Sequence, residues 1–239
     1  MITFNPEGHT YTDELGIEYT SVTRFINQFV PQFDFEQKSK TYAAKYGLHV
    51  ENVRADWNQK NKLSTDFGTK IHTLIEDSIK NDVLIPGPYF NVVNEITDIV
   101  KKSFKGSFLT EYIVFDEATK IAGTSDLIIE NKNTFSIIDF KTNKQIKYTN
   151  DFEDKYLLEP IDHLPNSEYF KYSLQLSFYA YFFSKIKNKQ VDRLSFFWLK
   201  RKDSKDYDNM SKAKWVRYNV PYLREEVLEC IGYHGKNMP

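Results

Sequence analysis

The chain has 239 residues, with 32 Lys and Arg against 33 Asp and Glu, a net charge of −1, and 41% hydrophobic residues that include 19 Phe and 16 Tyr. That composition specifies a packed globule with a sizeable core and excludes an intrinsically disordered chain. Near-neutral charge excludes a protein that coats nucleic acid through bulk charge, and a single cysteine, Cys230, excludes an intrachain disulfide framework and a four-cysteine metal cluster.

Residues 1–7 lack the basic start and apolar run of a signal peptide, and no stretch approaches the ~20 apolar residues of a membrane span. A soluble cytoplasmic protein that makes no use of a membrane is the expectation. No internal repeat or low-complexity linker divides the chain. One domain over 1–239 is expected, mainly helical over 1–105 and with a sheet-bearing core over 106–239.

In chain order, 9–12 and 17–20 read as a small hairpin around Gly16. Ser21 caps a short helix over 22–29, which Pro31 ends. Residues 35–46 and 50–62 read as two helices, and Ser64 reads as the cap of another running to about Lys80. An amphipathic helix follows over 89–104. The character then changes: 107–115, 121–129 and 134–141 are β-rich runs separated by polar turns. About 25 polar, poorly periodic residues come next, a length typical of a functional loop. Residues 169–186 form a long helix dense in Tyr and Phe, 193–199 and 215–220 read as strands, and 221–233 as a last helix. Helices packed on a central mixed sheet make an α/β (α+β) domain with a helical N-terminal elaboration.

Chemistry concentrates in Gly123-Thr124-Ser125-Asp126 and in Ile138-Asp139-Phe140-Lys141-Thr142. Phe135, Ile137, Ile138 and Phe140 cover both faces of the second strand, so that strand is expected to be buried on both sides. Asp139 and Lys141 are two apart and share a face. A turn of two residues, Lys132-Asn133, or of four, 131–134, sets Asp126 opposite Asp139 with Cβ atoms roughly 5 Å apart; a three-residue turn sets them on opposite faces. Two carboxylates that close repel unless a cation lies between them, and oxygen ligands suit Mg²⁺ or Mn²⁺. Deleting the Asp139 carboxylate would then relieve the metal-free protein.

Read alone, an Asp-x-Lys triplet is an ordinary ion pair at a strand end. Further pieces change that weighting. His72 and Glu76 stand four apart on one helical face, with Gly68-Thr69 just before them, although as an isolated pair they read as a surface contact. The pattern lacks the second histidine of H-E-x-x-H, and Cys and His ligands are too few for a zinc hydrolase. Gln175 and Tyr179 repeat the four-residue spacing on the aromatic helix. There Tyr172 and Phe183 read as core, but a glutamine among apolar neighbours needs partners. Glu111, on the strand before Asp126, can join the acids. From Lys185 to Arg217 the chain carries 11 Lys and Arg against 4 Asp and Glu, read equally as a solvated loop or a phosphate-binding edge. Trp57 and Tyr148 are candidates to stack on unpaired bases.

In this order the pieces resemble the RecB-type branch of the PD-(D/E)xK nucleases: Gly68-Thr69 with His72, Glu111, Gly123 with Asp126, Asp139 with Lys141 and Thr142, then Gln175 with Tyr179. The similarity spans about 65–180. The opening, Gly8 to Tyr11 and Tyr19 to Thr23, and the stretch from His163 to Ser177 also resemble phage-type and mitochondrial exonucleases of that branch. Ser125 stands where the name-giving proline would be, no Walker motif is present, and the iron–sulfur cysteines of some relatives are missing. The resemblance implies a restriction-endonuclease-like core. It implies one Mg²⁺ or Mn²⁺ held by His72, Asp126, Asp139 and the Phe140 carbonyl, with Glu111 or Glu76 binding a second metal or orienting a water. Lys141 would position or activate that water, and Gln175 and Tyr179 would support the site or touch the DNA backbone. A DNA exonuclease of phage recombination, replication or repair is the implied function, cytoplasmic in a bacterial host. It would act on single-stranded DNA or a free end, with a single-strand annealing or replication protein as partner. The rivals are a structure-specific endonuclease and a catalytically silent DNA-binding protein on the same scaffold.

Overall fold

Phe135, Ile137, Ile138 and Phe140 are all buried, as the two-faced apolar run demands, and they lie in the middle of an eight-stranded mixed sheet. The computed structural model describes residues 2–6, 8, 10–150, 155–202, 207 and 210–237. Among these the elements are β1 (Ile2–Asn5), β2 (Thr10–Asp13), β3 (Glu18–Ser21), α1 (Val22–Ile26), α2 (Phe35–Tyr46), α3 (Val50–Asn81), α4 (Phe90–Ser103), β4 (Ser107–Asp116), β5 (Ile121–Glu130), β6 (Thr134–Lys141), α5 (Glu168–Lys187), β7 (Gln190–Lys200), β8 (Lys214–Val220) and α6 (Arg224–Asn237).

The strand order is β1-β2-β3-β5-β6-β7-β8, with β4 antiparallel along the other edge of β5. β5 and β6 form an antiparallel hairpin, whereas β6 and β7 run parallel and need the α5 crossover. One sheet face packs on α1, α5 and α6 through Phe25, Leu174, Phe178, Phe196 and Val227; the other packs on α3 and α4 through Ile71, Ile75, Val93, Ile96 and Phe197. α5 is apolar on nearly all sides because it is enclosed between the sheet and two helices. Cys230 is buried in the same layer. No described helix is long and apolar enough to cross a membrane.

Several expectations need correction. The two helices read over 50–62 and 64–80 are one helix, α3, of 32 residues, about 48 Å long. Ser64 is no cap: nothing forces the backbone out of helical geometry there, since neither proline nor glycine occurs before Gly68, and its side chain lines a cleft instead. β1, which is not among the expected elements, pairs antiparallel with β2 from Ile2–Asp13 to Asn5–Thr10. The hairpin read around Gly16 is there as β2 and β3, and β3 also joins the main sheet beside β5. The helix read over 22–29 finishes as a tighter turn over Asn27–Phe29. The stretch after β6 is less loop-like than its polarity implies, because Leu157, Ile161 and Leu164 are buried and Tyr156 bridges to Pro165. The last helix starts at Arg224 rather than at Pro221. His9 of the predicted hairpin lies outside the described residues, and so do 203–206 and 208–209 of the basic segment.

Candidate active site

One edge of β5 serves two strands. Its start pairs with β3, at Thr20–Ile121 and Ser21–Ala122, and its end pairs with β6, from Leu127–Ile138 to Glu130–Phe135. Residues 123–126 lie in the gap between them. The β5–β6 register is the one that a two-residue or four-residue turn requires; extended by one step, it sets Asp126 against Asp139. At that step the backbone ladder stops and a side chain replaces it: the Phe140 N–H donates to Asp126 Oδ2 at 2.8 Å.

α3 crosses this gap. His72 Nδ1 lies 3.3 Å from Asp126 Oδ2, and the His72 ring meets Phe140 edge-on. Gly68 brings the helix close to β6, since a Cβ there would stand 3.1 Å from Thr142 Oγ1. On the other face, Lys141 Nζ lies 2.7 Å from Asp139 Oδ2, donates to Gln175 Oε1 at 3.0 Å, and sits 4.3 Å from the Tyr172 ring centre. Gln175 Nε2 in turn donates to Tyr179 Oη at 2.9 Å. The partners that Gln175 needs are thus Lys141 and Tyr179.

Glu111 enters from β4. Its neighbours pair as Thr110–Leu127 and Tyr112–Ser125, so it faces Asp126, but with φ of 46° it leaves the strand conformation. A non-glycine residue held there costs about 1–3 kcal/mol, and such strain clusters at functional sites. Glu76, one turn beyond His72, completes the acidic wall.

These groups border a cleft of about 530 Å³ lined by Ser64, Gly68, His72, Glu76, Glu111, Asp126, Lys141, Thr142 and Tyr172 among others. Asp139 lies beneath this surface, 3% exposed, and Tyr179 is also buried, at 4%. Tyr179 therefore supports Gln175 and is not placed to touch a substrate. Tyr172, read from sequence as a core ring, does pack against the core through Phe196, and it also lines the cleft under Lys141, which no local sequence signal marked. Phe183 is core as expected. Ser125, next to Asp126 on β5, is fully buried and its hydroxyl makes no hydrogen bond.

The electrostatics follow from four acids around two basic groups. Burial, together with the Asp126 and Glu76 carboxylates, pushes Glu111 up to about 7, although its side chain opens to the cleft. Burial and Asp126 push Asp139 up to about 6 against the pull of Lys141. Burial disfavours the His72 imidazolium, but Asp126 and Asp139 outweigh it and raise the group to about 9. Asp126 itself is lowered: burial opposes its charge, but His72, Lys141 and the Phe140 N–H stabilise it.

Among the described residues, no group of three or more His, Cys, Asp or Glu side chains is already arranged to hold a metal ion. The reason is local: His72 and the Phe140 N–H engage Asp126, and Lys141 engages Asp139. The donor chemistry nonetheless suits a hard divalent cation. The oxygens outnumber the bases, and Asp139 Oδ2, although beside the Lys141 ammonium, is buried and accepts no well-aligned hydrogen bond.

Among the described residues, several basic groups of the 185–217 segment are engaged within the fold. Lys185 and Lys189 pair with Asp116 and Glu130, and Arg193 and Arg217 lie over Phe104. Arg201 is near the cleft, between Phe67 and Tyr207, with a guanidinium contact to the Thr142 carbonyl at 3.4 Å.

Gly123 carries a sharp prediction. A Cβ at this position would stand 2.6 Å from Tyr179 Cε1 and 3.1 Å from Val22 Cγ2. Gly123→Ala is expected to lower stability by about 1–3 kcal/mol through overpacking, and to slacken the Tyr179–Gln175–Lys141 chain. A urea midpoint equal to that of the parent would show that the contact is not tight.

No family model and no curated protein matches the chain. Among solved structures, it is similar to SSO0001, at 15% identity over 92% of this chain and 76% of that one with a TM-score of 0.38. It is also similar to a candidate exonuclease from Eubacterium rectale, at 12% identity over 91% and 79% with a TM-score of 0.46. At these scores neither bears on the chemistry of the cleft.

Proposed function

We propose that the chain is a divalent-metal-dependent nuclease that hydrolyses phosphodiester bonds of DNA, working from an end. The observation that carries this reading is the convergence of Asp126, Asp139, Glu111 and Glu76 with His72 and Lys141 where β5 and β6 part, at an open polar cleft. In the proposal Asp126, Asp139 and His72, with the Phe140 carbonyl, hold Mg²⁺ or Mn²⁺, and Glu111 or Glu76 serves a second ion or a water. When bound, such a cation lowers the pKa of a coordinated water and offsets phosphate charge.

The protein's own groups do the rest. Lys141, held between Asp139 and Gln175, presents an ammonium to the attacking water and to the charge growing on the phosphate. Gln175, fixed by Tyr179, accepts a second hydrogen bond from Lys141 and so orients the ammonium that already touches Asp139. The Phe140 N–H keeps one oxygen of Asp126, a residue of the cleft wall, oriented. A place in recombination or replication, with a single-strand annealing or replication protein as partner, belongs to the same proposal and rests on the sequence resemblance.

The test uses linear single-stranded, linear duplex and closed circular DNA, each with Mg²⁺, Mn²⁺ or EDTA. Metal-dependent loss of the linear forms with circles spared is the expected result. Cut circles would replace the exonuclease by an endonuclease. DNA left whole under every metal would sink the enzymatic reading in favour of a silent binder.

A further inference from the structure

α2 and the first half of α3 form an arm whose aromatic residues the core clusters do not include. Around Trp57 the ring centres of Phe33, Phe35 and Tyr42 lie at 6.3, 5.7 and 5.6 Å, and Tyr46 lies 4.6 Å from Tyr42. Phe33, Tyr42 and Tyr46 remain 65%, 42% and 55% exposed. Rings gathered together yet open to water mark a contact surface rather than a core.

The position of the arm says what it contacts. Arg54 of α3 donates to Ser39 of α2 at 3.0 Å and pairs with Glu36, so α2 lies on the side of α3 that Arg54 faces. Arg54 and His72 are 18 residues apart, five helical turns, and so they point the same way. The arm therefore continues the cleft along one line of α3, with Trp57 about 12 Å of helix rise from Thr65 at the cleft edge. Its charge favours a polyanion. Arg54 and Lys60 are matched by Glu36 and Asp56; beyond these, exposed Lys38, Lys40, Lys45 and Lys62 stand against Asp34, which caps α2 but keeps its charge, and Glu51, a net of about +2.

We infer that this arm is a stacking platform for the unpaired bases of a single-stranded nucleic acid whose backbone leads into the cleft. The destination of the strand rests on the nuclease reading above. Every base offers a π-face, so aromatic platforms grip single strands without regard to sequence, whereas a duplex keeps those faces inside. The lysines select the strand over an apolar peptide or a second copy of the chain.

The experiment measures fluorescence anisotropy of a labelled oligothymidylate and of an abasic strand of equal length, with the full chain in EDTA. The parent is expected to bind the base-bearing strand about tenfold or more tightly than the abasic one, and the double variant Phe33→Ala/Tyr46→Ala to lose that preference. A parent with no preference, or a double variant that keeps it, overturns the platform. Light scattering that finds a parental dimer dissolved by the double variant also overturns it, in favour of an interface between copies. Because binding is read without metal, the two ideas separate. Metal-dependent cleavage without base preference removes the platform alone. Base preference, lost in the variant, without cleavage under any metal removes the nuclease reading alone.

Discussion

Asp139→Asn and Lys141→Met are each expected to reduce metal-dependent DNA cleavage about a thousandfold or more, while moving stability in opposite directions. Both side chains belong to the buried charge pair at the end of β6, at 2.7 Å. Neutralising Asp139 removes an oxygen charge from the proposed cation site. Removing the ammonium takes away a positive charge that faces the reacting phosphate. The stability difference arises from the resting state. Asp139 is held near 6 because burial and Asp126 disfavour its charge, so the neutral isostere relieves the metal-free protein at pH 8 by on the order of 1 kcal/mol. Lys141→Met instead leaves Asp139 and Asp126 with less compensation, and a decrease on the order of 2 kcal/mol is expected. Near-ultraviolet circular dichroism and urea unfolding measure the second effect, and end-labelled DNA the first. Normal cleavage by either folded variant would overturn the site assignment.

The metal-free protein is expected to lose stability steadily as pH rises from about 4 to about 9. Asp139 is pushed up to about 6 and Glu111 to about 7, so the native state holds protons that the unfolded state has released; ionising them in place is unfavourable. His72 acts in the same direction. Its favourable charge is fully present below its ordinary value near 6.5 and is lost as pH passes about 9. Asp126 is lowered, so its contribution is complete above its ordinary value and falls away only in more acidic solution. Together the decline is on the order of 3 kcal/mol, less than the separate shifts would sum to, because the groups interact and Glu111 meets solvent. Mg²⁺ or Mn²⁺ should reverse it, raising the melting temperature by several degrees at pH 8 and little at pH 5, where protons compete for the same oxygens. A flat metal-free profile, or equal stabilisation by metal at both pH values, would contradict the acidic cluster as a cation site.

How much of this was legible without coordinates depends on the range of the signal. The β5–β6 register is local: a short hairpin joins two strands, and side-chain direction alternates along each, so Asp126 and Asp139 are matched as soon as the turn is short and even. The shared face of Asp139 and Lys141, and those of His72 with Glu76 and Gln175 with Tyr179, follow from strand and helix geometry alone. For the same reason α2, α4 and α5 were legible to within a residue or so, since each is a continuous run of helix-compatible residues bounded by local breaks.

Other features depend on partners distant in the chain. Ser64 resembles a cap until α3 is seen to run unbroken, and Tyr172 resembles core alone until Lys141 is seen above its ring. The left-handed backbone of Glu111 has no sequence signal, because no glycine or asparagine marks it; the surrounding sheet imposes it. The parting of β3 from β6 along β5, the reach of His72 from α3 to Asp126, and the alignment of α2 with the cleft are likewise set by packing between segments remote in sequence. Which candidate groups share a face of one strand or one helix was readable from the chain alone, because that follows from backbone periodicity. That they meet in one cleft, and that Asp139 and Tyr179 lie buried behind the others, came from the packing of segments that no local pattern connects.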